Sequence, residues 1–597
     1  MLSLANNADA QSAQDVTTWH NDINRTGWQQ NETTLNTTNV ATNFGLLWRY
    51  APIQMGHVFA QPLAVGGLPG MTNCSAPCSL VFIADEKDNL FAFNAASSSQ
   101  TPVWILNLAS AAAGYPVDCT TLGTFGPCEV AGPSIGITGT PVIDTTANPP
   151  ILYAVAAVFD GVSSVDYDLF AVDVETGSPV ASVVIGGTVL GLNPGPSLPE
   201  RCATTYPTNG QVLFDSNHIQ RSALLLLGNS PGHFGTVYVA FAPSGTEWEN
   251  GWVFAYSLNG AQLAQGSYYV STPHGTGGGI WGSGAGPASD GSYIYAPTGN
   301  GTFHTASPTD DYGDSLLKLT APNLTVADYY APFDVNSYGG ETGRCINDID
   351  FGSGGVMAFP GAYTYNRLNL LVNADKESQL YFSDRNNLGQ FNPSGGNNIA
   401  TVPTPPLTHS GQGYWASPAY WQVDNSGTYQ YYLYYAVTTD TGSPTLFPYQ
   451  MYQYSLQTTG PTGGSSGPIL TTGSYYKTTI TSFCPYSPTP SVSSSPGANG
   501  TFGATGTGLV WAIEDAYSTP NCGVTNDGHK VAAVLHAFNA ASMSELYNSS
   551  LLQTKLGLAV SFSTPMVFQG RVYIGTNTNG TQGEVDVFGL CSPTCLH

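Results

Sequence analysis

The sequence predicts an all-β fold, a single eight-bladed β-propeller of four-stranded antiparallel blades whose ring is closed by an N-terminal strand. Three observations carry this. The 597-residue chain holds 69 Gly, 41 Pro and 34 Tyr against 14 Lys and Arg together, a composition of many strands and turns with few amphipathic helices. One pattern of turn and strand recurs along almost the whole chain. It recurs eight times, which suits a ring in which each unit buries both faces against its neighbours; a β-sandwich does not call for such repetition.

Each unit opens on small residues: Gln61–Leu63, Gly139–Pro141, Arg221–Ala223, Gly284–Pro287, Ser353–Gly355, Ala416–Pro418, Ser494–Pro496 and Ser563–Pro565. Small side chains there let the inner strands crowd round an axis. Each unit closes on an apolar and aromatic strand: Leu90–Asn94, Leu169–Asp173, Val253–Tyr256, Leu316–Leu319, Leu380–Asp384, Met451–Tyr454, Leu535–Asn539 and Val585–Phe588. Further β-rich runs such as Leu80–Ala84 and Tyr238–Phe241 stand between, with side chains bulky enough to fill the widening gap between twisted sheets. A miscounted turn would make the ring seven- or nine-bladed.

Ahead of the first unit, Trp19–Tyr50 ends in the strand-like Gly45–Tyr50, expected to pair with the last blade and remove an exposed sheet edge. The stretches 186–220 and 460–491 are rich in Gly, Pro, Ser and Thr and read as loops on one end of the ring. Residues 1–17 read as an export-signal remnant or flexible start, because Ala8–Ala10 and Ser12–Gln14 resemble the end of a signal peptide that lacks its apolar core. Residues 18–597 read as the propeller.

Charged residues are 9% of the chain and the net charge is −25, so no nucleic-acid partner is expected: the acidity repels phosphate and no basic run neutralises it. No apolar run reaches the length of a membrane span. The ten cysteines read as disulfides of an oxidising compartment, extracellular or periplasmic. Cys74 with Cys78, Cys119 with Cys128 and Cys591 with Cys595 are close enough for short loops; among the remainder, Cys202 with Cys345 and Cys484 with Cys522 is the preferred pairing, other connectivities staying open. Glycosylation is expected at Asn24, Asn31, Asn36, Asn73, Asn323, Asn499, Asn548 and Asn579, and a ninth sequon falls at Asn300.

Two segments resemble the PQQ-like propeller family, whose enzymatic members are the PQQ-dependent alcohol dehydrogenases. One is Thr18-Trp19-His20-Asn21-Asp22 with Arg25-Thr26-Gly27; the other runs from Gly278-Gly279-Ile280-Trp281 through Tyr293–Asn300 and Asn347–Asp350 to Asp375–Tyr381. The resemblance implies PQQ and calcium as cofactors, with Trp281 as the floor beneath the quinone, Asn300 and Asp350 as calcium ligands, Asp350 as the catalytic base and Lys376 against the quinone carbonyls. The chemistry is coherent: a flat quinone stacks on indole, calcium takes hard oxygens, and a carboxylate accepts the alcohol proton as hydride leaves. Each residue has a structural reading beside it: blade packing for Trp281, a turn or glycan acceptor for Asn300, a loop cap for Asp350 and a surface charge for Lys376.

Two features depart from that family. No two cysteines are adjacent, so the pair that covers the quinone's other face is missing, and His218–Gly228 contains no acid to serve as a further calcium ligand. The sequence therefore favours a secreted, non-catalytic structural, surface or ligand-binding propeller, self-assembling or engaging a glycan or cell surface. A PQQ- and calcium-dependent alcohol or sugar dehydrogenase is the alternative.

Overall fold

Eight sheets stand round one axis in a computed structural model that describes residues 14–122, 128, 133–191, 210–244, 249–305, 310–335, 344–345, 348–361, 363–376, 379–402, 415–438, 449–458, 470–477, 489–498, 500–514, 532–578, 582–591 and 595. Blade 1 runs from the axis outward through Leu63–Leu68, Cys78–Ala84, Asn89–Asn94 and Trp104–Asn107, each antiparallel to the next. Blades 2 to 7 repeat this order from inner strands at Val142–Asp144, Leu225–Leu227, Ala288–Ser289, Val356–Ala358, Ala419–Asn425 and Ser491–Ser493. Blade 8 takes three strands from the C-terminal end, Met566–Phe568, Arg571–Asn577 and Gly583–Leu590, and its outer strand, Phe44–Tyr50, from the N-terminal end. The ring is closed by the N-terminal strand, and the Cys591–Cys595 disulfide packs beside Gly45 at that closure.

The strand alternation explains why the blades need one another. Ile151–Phe159 is buried along nearly its whole length. Leu152, Ala154 and Ala156 enter the core shared with blade 1, whereas Tyr153, Val155 and Ala157 enter the core shared with blade 3. Successive side chains of a strand point to opposite faces, so a blade flanked on both sides reads as a continuous apolar run.

Seven of the predicted openings immediately precede an inner strand. The seventh in order does not: Ser494–Pro496 follows the inner strand Ser491–Ser493, which opens on Thr489–Pro490 instead. Two small-residue turns stand a few residues apart there, and only pairing of Val492 with Val510 selects between them. The stretch 186–220 is not all loop, since Thr188–Gly191 and Gly210–Leu213 form a hairpin arm. Likewise 460–491 supplies Leu470–Lys477, the outer strand of blade 6.

The leading segment is more than an approach to the ring. Val16 pairs with Ala64 of blade 1, and the carbonyls of Thr17, Ile23, Asn24, Thr26 and Gly27 accept from Ile143, Ser289, Ala358, Tyr420 and Val492 of blades 2, 4, 5, 6 and 7. The Arg25 guanidinium reaches Leu224 O of blade 3 at 3.0 Å and the Gln29 amide reaches Val567 O of blade 8 at 3.4 Å. One short stretch thus touches all eight blades and fills the centre of the ring. Arg25, fully buried, also donates to Pro287 O, Thr18 Oγ1 and Trp19 O.

Disulfides join Cys74 to Cys78, Cys119 to Cys128 and Cys591 to Cys595. Cys345 is disulfide-bonded, while Cys202, Cys484 and Cys522 lie outside the described residues. Of the sequon asparagines, Asn73 and Asn323 are exposed, Asn31 is half-buried, and Asn36 and Asn548 cap short helices. Asn24 gives its amide nitrogen to Ser289 O. Asn499 and Asn579 lie outside the described residues. Among the described residues, no helix is long and apolar enough to cross a membrane.

Candidate axial site

The second strands all end, and the third strands all begin, at one end of the ring, where the sequence-predicted site residues meet. In blade 5, at the end of the second strand, Asp375 Oδ1 accepts Gln379 N at 2.9 Å. Asp85 and Asn89 make the same turn in blade 1 at 2.9 Å. The residue after the aspartate meets the segment that leads into an inner strand: Lys376 pairs with Asp350 ahead of blade 5's and Glu86 Oε2 accepts Gly136 N–H ahead of blade 2's.

Lys376 donates its main-chain N–H to Asp350 O at 3.1 Å. Its ammonium lies 3.0 Å from Asp350 Oδ2 and 2.8 Å from Asp348 Oδ2, with the Trp415 ring centroid 5.6 Å away. Burial works against this charge, but Asp350 and Asp348 outweigh it and hold the Lys376 pKa above its ordinary value. Asp350 Oδ1 accepts Asn300 N–H at 2.8 Å, so both of its oxygens are engaged. The Asn300 side chain donates to Asp348 Oδ1 at 2.9 Å. Asn300 is 3% exposed, and its Oδ1 is buried with no hydrogen-bond partner among the described residues. The buried, committed amide nitrogen makes Asn300 unsuited to carry a glycan.

Trp281 forms one wall. A Cβ on Gly299 would collide with Asp350 Oδ1 and come within 2.8 Å of Trp281 Cδ1, so glycine is what lets indole and carboxylate approach. The Arg221 guanidinium stacks between two rings, 5.1 Å from the Trp281 centroid and 4.8 Å from that of Phe562. Phe562 reaches across from blade 8. Below this layer Trp19 of the central segment packs on Ala223 and Ala285. Ser283, Asp314, Asp348 and Phe562 all have left-handed backbone, with φ of 46°, 44°, 58° and 64°. Such conformations persist where the surroundings over-determine them, as at binding and catalytic sites.

Arg344 holds the loop bearing Asp348 and Asp350. It pairs with Asp334 at 2.8 Å and Asp375 at 3.0 Å, and donates to the Tyr381 hydroxyl at 2.6 Å. Asp314, buried behind Asp350, is pushed well above the ordinary carboxylate range by burial and then by the Asp350 charge.

Trp281, Asn300, Asp350 and Lys376, predicted separately, are therefore brought together. Arg221, Phe562, Trp415 and Asp348 complete the site without having been singled out for it. Arg221 is read from the sequence only as a blade opening, and Phe562 stands one residue ahead of one. His218–Gly228 contains no acid, and Glu249 stands just ahead of Trp252 of blade 3.

No protein-family model and no curated protein sequence matches the chain. Solved structures do. The quinohemoprotein alcohol dehydrogenase from Comamonas testosteroni superposes with a TM-score of 0.56 at 14% identity, over 98% of this chain and 81% of that one. The quinohemoprotein alcohol dehydrogenase ADHIIG from Pseudomonas putida HK5 does so with a TM-score of 0.57 at 11% identity, over 97% and 80%. The chain has the PQQ-like eight-bladed propeller fold. At such identities the likeness is one of architecture, and what the PQQ-like ring of this chain does must be argued from its own residues.

The residues fit a quinone and a cation in part. Asn300 Oδ1 is a buried hard-oxygen donor still open to a cation, and Trp281 offers an aromatic wall. The two carboxylates that would complete a cation site are instead bridged by Lys376, and each Asp350 oxygen already accepts one hydrogen bond, Oδ2 from the ammonium itself.

Proposed function

We propose that this chain is a secreted PQQ-like propeller whose axial site binds a ligand without catalysing its oxidation. The observation that carries the reading is the pairing of Asp350 Oδ2 with the Lys376 ammonium, beside the Asn300 N–H on Oδ1. A carboxylate paired with an ammonium gives up that ion pair when it takes a proton. What remains is the Trp281 indole beside the Lys376 ammonium and the open Asn300 Oδ1, groups suited to holding a planar or polar ligand. The disulfides support an extracellular or periplasmic setting, and the low charge of the chain suits a surface component.

Purified protein titrated with PQQ, with and without Ca2+, tests this. Tryptophan emission reports binding, and dye reduction with ethanol, longer alcohols and glucose reports turnover. The expected result is no substrate-dependent dye reduction under any loading; sustained reduction that requires both PQQ and Ca2+ would overturn the reading. The orphaned Asn300 Oδ1 favours the second reading, a PQQ- and calcium-dependent dehydrogenase, and the same experiment decides between them.

A further inference from the structure

On the opposite end of the ring from the axial site, blade 6 carries an aromatic pocket of different chemistry. The second strand of this blade, Thr428–Thr438, ends on the axial-site face, so its first residues lie at the far end beside the last residues of Tyr449–Leu456, as the pairing of Tyr432 with Ser455 requires. A cavity of about 240 Å3 opens there. The residues that line it, among them Tyr429, Gln430, Tyr431, Ser455, Gln457 and Thr458, are all uncharged.

The rings form a row across three blades. Tyr429, 52% exposed, stacks on Phe502 of blade 7 with centroids 4.4 Å apart and planes at 19°. Tyr431 lies 6.0 Å from Phe502 and 5.1 Å from Tyr363 of blade 5. Tyr363 is itself held by donating its hydroxyl to Gln457 O at 2.8 Å. Flat rings fixed by stacking, bordered by amides and hydroxyls and free of ionic groups, exclude phosphates and polyanions, which need cationic partners.

We infer that this pocket binds a neutral sugar, a β-linked hexopyranose unit of a polysaccharide. Such a ring has apolar C–H faces that match tyrosine rings and equatorial hydroxyls that match primary amides, which donate and accept at once. The cavity falls below the ~300 Å3 at which drug-sized sites begin, the scale of one sugar ring. The exposed Tyr429 offers a second contact to the next unit of a chain. The pocket is independent of the axial site in residues and in face.

Calorimetric titration of the intact protein with cellohexaose tests the inference, with glucose as the single-unit comparison. Cellohexaose should bind with a dissociation constant on the order of 1 mM or tighter and glucose more weakly, because the platform is extended. Tyr429→Ala should weaken binding about tenfold, the loss of one aromatic contact, with the melting temperature unchanged because the ring is exposed. Gln457→Ala, which leaves the main-chain acceptor for Tyr363 intact, should weaken it as well, and Trp281→Ala should have no effect. Absence of measurable heat at millimolar cellohexaose would overturn the inference, as would binding that survives both blade 6 substitutions or is lost with Trp281→Ala.

Discussion

Lys376 and Asp350 are joined twice, by an ion pair of 3.0 Å between side chains and by a hydrogen bond of 3.1 Å from the Lys376 N–H to the Asp350 carbonyl. The first bond satisfies a nearly buried charge and the second fixes where that charge stands. Replacing Lys376 by Met removes only the first and leaves two carboxylates facing each other. Breaking a buried pair from one side costs about 3–5 kcal/mol; with Asp348 37% exposed on its side chain, a loss of about 2 kcal/mol is expected in urea unfolding. The triple variant Asp348→Asn, Asp350→Asn, Lys376→Met should recover most of it.

Gly299→Ala probes the axial site without altering any charge. Its Cβ would press on Asp350 Oδ1 and Trp281 Cδ1, so the indole and carboxylate must part. The expected outcome is a protein that still folds but shows a shifted Trp281 emission maximum and loses any ligand-induced quenching. Unchanged emission with a Trp281→Phe control in hand would count against the described contact.

Arg25 ties the central segment to blades 3 and 4 from a fully buried position. Burial lowers its pKa to about 10, so it still carries its charge at neutral pH. Arg25→Ala strands the carbonyls of Trp19, Leu224 and Pro287 in the ring centre. Each unsatisfied buried acceptor costs about 1–3 kcal/mol, so a loss of several kcal/mol and a large drop in melting temperature are expected.

Stability should rise, not fall, on mild acidification. Burial pushes Glu86 up to about 8, Asp311 to about 7 and Asp168 to about 6. An acid whose folded pKa is raised contributes stability that is fully present below its unfolded value, about 4, and is lost as pH rises through its folded value. His20 acts oppositely: burial lowers it to about 4, so its contribution is present above about 6.5 and lost as pH falls towards 4. As pH rises above about 4, three acids losing stability outweigh one histidine gaining it, so the melting temperature should be highest near about pH 4 to 5 and decline towards pH 8. Glu86→Gln, which keeps an acceptor for Gly136 N–H, should flatten the alkaline decline in calorimetric scans.

Blade 7 adds a second element of the same sign. His536 is clamped between Glu514 at 2.9 Å and Glu545 at 2.7 Å, across three adjacent strands. Burial opposes its charge, but the two glutamates prevail and hold its pKa above the ordinary value. The clamp is fully formed below the unfolded histidine pKa and is lost as pH rises through the folded one. His536→Gln should destabilise the protein more at pH 6 than at pH 8.5, and proton NMR titration of the ring should show a midpoint above 6.5.

The blade count, the closing strands and the closure of the ring by Gly45–Tyr50 were legible because they are local. Alternation, small-residue turns and aromatic strands leave their period in neighbouring residues. The outer strands were not, since Trp104–Asn107 and Pro179–Val184 are half-exposed and carry no apolar period. Trp281, Asn300, Asp350 and Lys376 could be named from resemblance, but not how they are bonded. That Arg221 stacks between Trp281 and Phe562, that Lys376 takes up Asp350, and that the leading segment touches every blade depend on contacts between residues up to hundreds of positions apart. The sequence by itself determined a closed ring of PQQ-like blades, because each blade is encoded within its own stretch. Only the tertiary structure decided the character of the axial site, because that depends on which side chains, delivered from different blades, satisfy one another's charges at the centre.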